Sequence, residues 1–417
     1  MNLLFKIIII IISINVSILI SQCDSLDTST LPRDGTNAAL IGDKIYYIGG
    51  RREPPQKIIP FILDLSSDFT AVNANFIQVV GLENMPSSPA WTAACLEKNN
   101  TIYIFGGTDG SQAGLPKLNT LYKIEPSGDN SLNWIKFSPN QGDIWPSARD
   151  GIFPIIDKLS RIFVWGGRNE GQDNKTMYMF EANQWQNYTL DNAPDPRASY
   201  SATLLDDGRI IYIGGNSSDP YPDVNFLELL IFDTTKLEWS TQLSTSNEPI
   251  KNRQGHSALL HMDSTSIIMY GGFYVSDGEI PDSDSVWILS TTKNWTWSRP
   301  SVPSLPSITV TRGHTAVIHN GYMVIAFGTY GTNYSYTSEV KVMDVTNLNS
   351  LAWIIPHSEY SAQSENLRHS TNELIFAHTS TDPPLQQTNL RPISYQYNQN
   401  SPSYYYNPNS PANQYRM

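Results

Sequence analysis

The chain has 417 residues and a formal net charge of −12, from 39 acidic and 27 basic side chains. Its Lys and Arg are scattered rather than clustered, which excludes the concentrated basic surface that nucleic-acid phosphates need. Only two cysteines occur, Cys23 and Cys95. That excludes an internal disulfide framework, and a domain of more than 300 residues buries enough surface to fold without one.

Residues 1–23 carry Lys6, an apolar run from Ile7 to Ile12 continued by Ile14, Val16 and Ile18 to Ile20, and the ending Ser21-Gln22-Cys23. A short positive region, an apolar stretch and small terminal residues describe a secretory signal peptide. Cleavage falls after Cys23 or after Ser21. The alternative is a retained signal anchor, since the run approaches the length that spans a bilayer, and only then is the chain expected on a membrane.

From about residue 32 the same phrase recurs. An apolar strand ends in a glycine corner at Gly49-Gly50, Gly106-Gly107, Gly166-Gly167, Gly214-Gly215, Gly271-Gly272 and Gly328-Thr329, at intervals of 57, 60, 48, 57 and 57 residues. Periods of this size mark a repeat architecture. The fourth copy shows the unit. Tyr200 to Leu205 reads as a first strand, Arg209 to Ile213 as a second, Leu229 to Asp233 as a third, and Glu238-Trp239 opens a fourth. The second strand is apolar nearly throughout, as suits a strand buried on both faces. A Trp returns at the phase of the fourth strand: Trp134, Trp185, Trp239, Trp295 with Trp297, and Trp353. One small sheet with such a face is marginal, whereas six packed radially bury one another. The expected fold is all-β, a six-bladed β-propeller.

This phrase resembles the kelch repeat, in which a glycine pair follows the second strand, a Tyr- or aliphatic-rich third strand comes next, and a Trp stands about six residues further on. Third strands such as Leu121-Tyr122-Lys123-Ile124 and Met177-Tyr178-Met179-Phe180 match it. So do Arg253-Gln254-Gly255-His256-Ser257-Ala258 and Arg312-Gly313-His314-Thr315-Ala316 before the first strands. The resemblance spans roughly residues 32 to 356. Two copies depart from it. The first has Phe76-Ile77-Gln78-Val79-Val80 where Trp would fall, and the last has Thr329 in place of a second glycine. A seventh blade would rest on Glu373 to Ala377 alone, so six are expected.

Residues 357–417 are expected to be a linker and a disordered tail, since segments such as Tyr395-Gln396-Tyr397-Asn398-Gln399-Asn400 and Asn407-Pro408-Asn409-Ser410-Pro411 cannot build a core. Six sequons, at Asn99, Asn174, Asn187, Asn216, Asn294 and Asn333, fit N-glycosylation and agree with a secretory route. The acidic stretches Ser276-Asp277-Gly278-Glu279 and Asp282-Ser283-Asp284 read as solvated surface.

Chemistry is sparse. No Gly-x-Ser-x-Gly, His-Glu-x-x-His, phosphate loop or CxxC occurs. The kelch fold is shared with copper radical oxidases resembling galactose oxidase, whose copper is held by two Tyr and two His with one Tyr cross-linked to a Cys. Here Cys95 falls on a first strand, as a small buried hydrophobe would. His256 and His314 fall in phase, as repeat-structural residues would. The preferred reading is a non-catalytic secreted or cell-surface propeller that needs no cofactor and binds a protein or glycan through one face. A copper oxidase and an intracellular scaffold are the alternatives. Candidate ligand contacts are Arg149, Arg197, Arg253 and Arg312, whose guanidinium groups suit carboxylates, and the aromatics Tyr221, Phe273, Tyr274 and Tyr330 beyond the glycine corners. Tyr334 and Tyr336 follow in the same loop. The competing reading of the arginines is that each pairs within the repeat's own packing.

Overall fold

In the computed structural model the described residues are 32–354, apart from 67–74, 81–84, 86–87, 170–174, 218–223, 275–279, 282–283, 293 and 304–308. The expected signal segment, the tail and the strand at Glu373 to Ala377 lie outside them. All described residues belong to the compact unit Met1–Tyr360.

Six sheets follow one another along the chain, each with four antiparallel strands in sequence order. They form blades 1 to 6, at residues 37–78, 94–137, 155–188, 201–243, 257–298 and 315–353. The first strands touch in ring order, and that of blade 6 meets that of blade 1. The molecule is the expected six-bladed propeller. Blade 4 matches its reading closely, with strands Ser201–Leu204, Arg209–Ile213, Glu228–Asp233 and Glu238–Leu243.

Strand alternation explains the unbroken apolar runs. Successive side chains point to opposite sheet faces. In the second strand of blade 4, Ile210 and Tyr212 join the layer facing blade 3, while Ile211 and Ile213 join the layer facing blade 5. Each of the six interfaces between neighbouring blades has one such cluster. Except for Trp295, which stands just before the fourth strand of blade 5, the Trp series lies on the fourth strands. Trp239 stacks on Trp165 of blade 3 at 4.9 Å between ring centroids, and Trp297 is fully buried between blades 4 and 5. Blade 5 gains a short parallel fifth strand, Thr245–Ser246, on its outer edge.

Candidate functional site

The glycine corners build one face of the ring. At each corner the two residues take φ near +65° and then +83° to +98°, as at Gly214 (62°) and Gly215 (84°). The N–H of the second residue donates to a carbonyl of the next blade: Gly50 to Pro89, Gly107 to Arg149, Gly167 to Arg197, Gly215 to Arg253, Gly272 to Thr311 and Gly328 to Arg33. A Cβ on Gly214 would come within 2.7 Å of the Arg253 carbonyl, so the corner and its neighbour leave no room for one.

Two residues on, a second set of bonds forms a closed circle around the axis. Trp91 N–H donates to the Gly35 carbonyl, Gly151 to Trp91, Ser199 to Gly151, Gly255 to Ser199, Gly313 to Gly255, and Gly35 back to Gly313, all at 2.7–3.1 Å. All six residues have positive φ.

These bonds fix the repeat register and correct it in two places. The last corner is Phe327-Gly328, with φ of 63° and 98°, so Gly328 is the second residue of the pair and Phe327 stands where a glycine stands elsewhere. Phe327 is buried against Tyr47 and Phe61 of blade 1, at 5.0 and 5.7 Å. The arginine that shares its position with Arg149, Arg197 and Arg253 is Arg33. Arg312 lies one residue later, beside the circle.

That single step separates the arginines. Arg149 is fully buried, donating to the Gly166 carbonyl at 3.0 Å and to Ser147. Arg253 is also fully buried and donates to the Asp284 carbonyl and carboxylate, both at 2.9 Å. Trp287 and Tyr274 donate to the same carboxylate. Asp284 is therefore 7% exposed, part of a clasp rather than the solvated surface expected of it. Arg197 is 8% exposed, 3.9 Å from Glu228, and burial lowers its pKa to about 10.

Arg312 is half-buried at the rim. Its guanidinium stacks 3.6 Å over Tyr334 and 4.7 Å over Phe273, and its Nε donates to Thr329. Next to it, across the seam between blades 6 and 1, Asp34 accepts from Arg51 Nε at 2.8 Å and Nη2 at 3.3 Å. Burial raises the Asp34 carboxyl, while Arg51 and Arg312 both pull it down. Arg51 in turn lies 5.4 Å over the ring of Trp91. Tyr330 and Tyr334 are exposed, and Tyr336 is half-buried. The seam thus gathers two guanidinium groups, each held against an aromatic ring, around one shared carboxylate.

Of the expected contacts, Arg312, Phe273 and Tyr330 lie at this rim. Tyr274 is buried in the Asp284 clasp, and Tyr221 lies outside the described residues. Trp91 escapes a sequence reading because it stands where the other blades have Gly or Ser, whereas Asp34 and Arg51 repeat Asp150 and Arg168 at matching places around the glycine corners. The alternation of Asp34 with Arg51 and of Asp150 with Arg168 (2.5 Å) was the available signal. Among the sequons, Asn99, Asn187, Asn294 and Asn333 are exposed, Asn216 is buried at 4%, and Asn174 lies outside the described residues.

His256 and His314 line the inner ring, bonded through Nε2 to Ser201 and Ser257 of the preceding blades, both at 2.9 Å. Burial, with Lys341 nearby, pushes His314 down to about 3. Burial, with Arg253 and His314, holds His256 well below its usual range. Cys95 is buried between blades 2 and 3, and burial pushes its thiol up to about 12.

A family model for the KLHDC2/KLHL20/DRC7 Kelch-repeats domain matches residues 35–242 and 223–382. Kelch domain-containing protein 1 of Mus musculus is 24% identical over 270 residues, covering 58% of this chain and 62% of that protein. N-(sulfonatooxy)prop-2-enimidothioate sulfolyase of Thlaspi arvense is 24% identical over 245 residues, covering 54% and 66%. The chain therefore spans less than two thirds of the length of these two relatives. The solved structure of YjhT matches with a TM-score of 0.57 at 16% identity, over 77% of this chain and 97% of that one, a likeness of fold.

Proposed function

Because this chain belongs to the kelch-repeat family, we propose that it is a non-catalytic binding propeller that takes an acidic segment of a protein partner at the rim over the seam of blades 6 and 1. The observation that carries this reading is the pair Arg51 and Arg312. Both guanidinium groups are pre-set by aromatic stacking, so little side-chain entropy remains to be lost when a carboxylate arrives. Exposed Tyr and Arg together are also the residue types that dominate protein interfaces.

The non-catalytic part is supported by where an oxidase's residues would have to be. Both inner-ring histidines are engaged with serines, and Cys95 faces an interblade layer. A secretory location rests on the N-terminal apolar run and the exposed sequons. A protein expressed in eukaryotic cells without glycan mass would return the intracellular scaffold to first place.

The test is a peptide display selection on the purified chain, scored for Asp and Glu against matched Asn and Gln peptides. Acidic peptides should be enriched, with binding weakened at least tenfold by Arg312→Ala or Arg51→Ala and reduced by salt. Equal capture of the amide peptides, or full binding by both variants, would sink the reading. A glycan array serves the second reading, which the exposed rings of Tyr330 and Tyr334 favour. Selective glycan binding lost in Tyr334→Ala would replace the protein ligand.

A further inference from the structure

Inside the circle of hydrogen bonds, the first strands enclose a central cavity of about 250 Å³. None of the described residues lining it is Asp, Glu, Lys or Arg, in a chain whose net charge is −12. Its walls are mostly methyl groups and rings, including Ala94, Ala202, Phe153 and Leu259, with hydroxyls such as Ser201 and Ser257 among them. Three lining residues keep a buried polar atom without a partner among the described residues: Thr36 Oγ1, Asn37 Oδ1 and His256 Nδ1. Asn37 is 1% exposed and its amide nitrogen donates to the Ile48 and Pro89 carbonyls, so its side chain is fixed within the wall.

Trp91 is the second observation. It holds one of the six left-handed positions of the circle, where the other five residues are Gly or Ser, with φ of 58°. Such a conformation costs a bulky residue on the order of 1 kcal/mol or more. Its ring runs along the rim from Gly35 to Gly313. A Cβ on either glycine would come within about 3.0 Å of the indole. Two blades therefore forgo side chains to make room for this one.

We infer that the central cavity is a binding site for a small, uncharged, largely apolar molecule, and that Trp91 closes the cavity toward the rim. The size fits. An engineered apolar cavity of about 150 Å³ takes up benzene, so this one has room for a bicyclic ring of the size of indole. Charge is excluded by the lining, because an ion buried there without a partner would meet the full desolvation cost. The neutral state of both lining histidines agrees with that exclusion.

Indole and phenol are the probes, titrated into the full chain by ligand-observed NMR and calorimetry, with benzoate as the charged control. Indole should bind saturably at one site while benzoate does not. Ala202→Leu and Ala94→Leu, each filling the cavity from a different blade, should weaken it at least tenfold with circular dichroism unchanged. Trp91→Ala should speed its release severalfold. No saturable binding of either neutral probe, as expected of a cavity that holds water alone, overturns the inference. So does unchanged affinity in whichever filling variants fold. Acidic-peptide capture at the rim is scored separately, so either reading can fail without the other.

Discussion

The two inner-ring histidines carry a measurable consequence. His256 and His314 are neutral in the fold because burial removes water from the charged form, whereas in the unfolded chain each titrates near 6.5. Below about pH 6.5 the unfolded state therefore binds more protons than the native state, so stability falls as pH falls and is fully present above that value. The slope is at most about 1.4 kcal/mol per pH unit for each histidine. Carboxylates held low by partners act only below about pH 4, and Asp34, raised by burial, would change stability with the opposite sign, so a decline between pH 6.5 and 5 belongs to the histidines. Urea unfolding at pH 7, 6 and 5 should show the decline, and His314→Gln should reduce its slope. A flat profile across that interval would mean that the imidazoles are reached by water. The phase of these histidines was legible in the sequence, since both follow the same glycine. So was the slip of Arg312, which stands one residue before Gly313 where Arg253 stands two before Gly255; the make-up of the last corner was not. Glycine counting cannot tell which half of a corner has been lost, and only the bond from Gly328 to the Arg33 carbonyl shows that Phe327 took the first place. An aromatic there fills the blade 6 and blade 1 layer against Tyr47 and Phe61, and that burial offsets its strained backbone.

At the level of strands, the apolar runs, the Trp phase and the four-strand order were all readable, because each follows from a period of two along a strand buried on both faces. The short links between elements were not. They depend on which loop residue comes back to meet an arginine, and Asp284 meets Arg253 from 31 residues away. Arg253 is fully buried, so its guanidinium depends on that one carboxylate. Asp284→Ala should cost about 3–5 kcal/mol, the usual result of leaving a buried charge without its partner. Arg253→Met in the same background should recover part of the loss, because the uncompensated charge goes with it. Chemical denaturation of the two single variants and the double variant closes the cycle. Additive losses would show that the carboxylate acts through Tyr274 and Trp287 instead. The same clasp explains why a run that reads as acidic surface, Asp282-Ser283-Asp284, ends inside the blade.

For the whole molecule the question is how a ring made of six independent sheets stays shut. Every blade is built from one stretch of chain, so no strand is exchanged across the seam between blades 6 and 1. Repeat arrays normally unravel from their ends, because the last unit has a neighbour on one side only. Here the seam carries the same bonds as the other five interfaces: Gly35 N–H to the Gly313 carbonyl at 2.8 Å, and Gly328 N–H to that of Arg33 at 2.8 Å. It adds the Phe327, Tyr47 and Phe61 cluster with Arg33 stacked 4.9 Å over Phe61, and a contact of 3.0 Å between His319 and Asp43 on the opposite face. A circle closed to this standard has no end from which to fray. Amide exchange followed by mass spectrometry should then give Gly35 protection within about tenfold of Gly151, Ser199 and Gly255, with exchange through opening of the whole ring. Phe327→Ala should open the seam selectively, raising exchange at Gly35 and Gly328 before it does so at Gly151. If Gly35 already exchanges a hundredfold faster in the unaltered chain, the circle is broken at the seam. The rim site, which is built from residues on both of its sides, would then assemble only when a ligand draws blades 6 and 1 together.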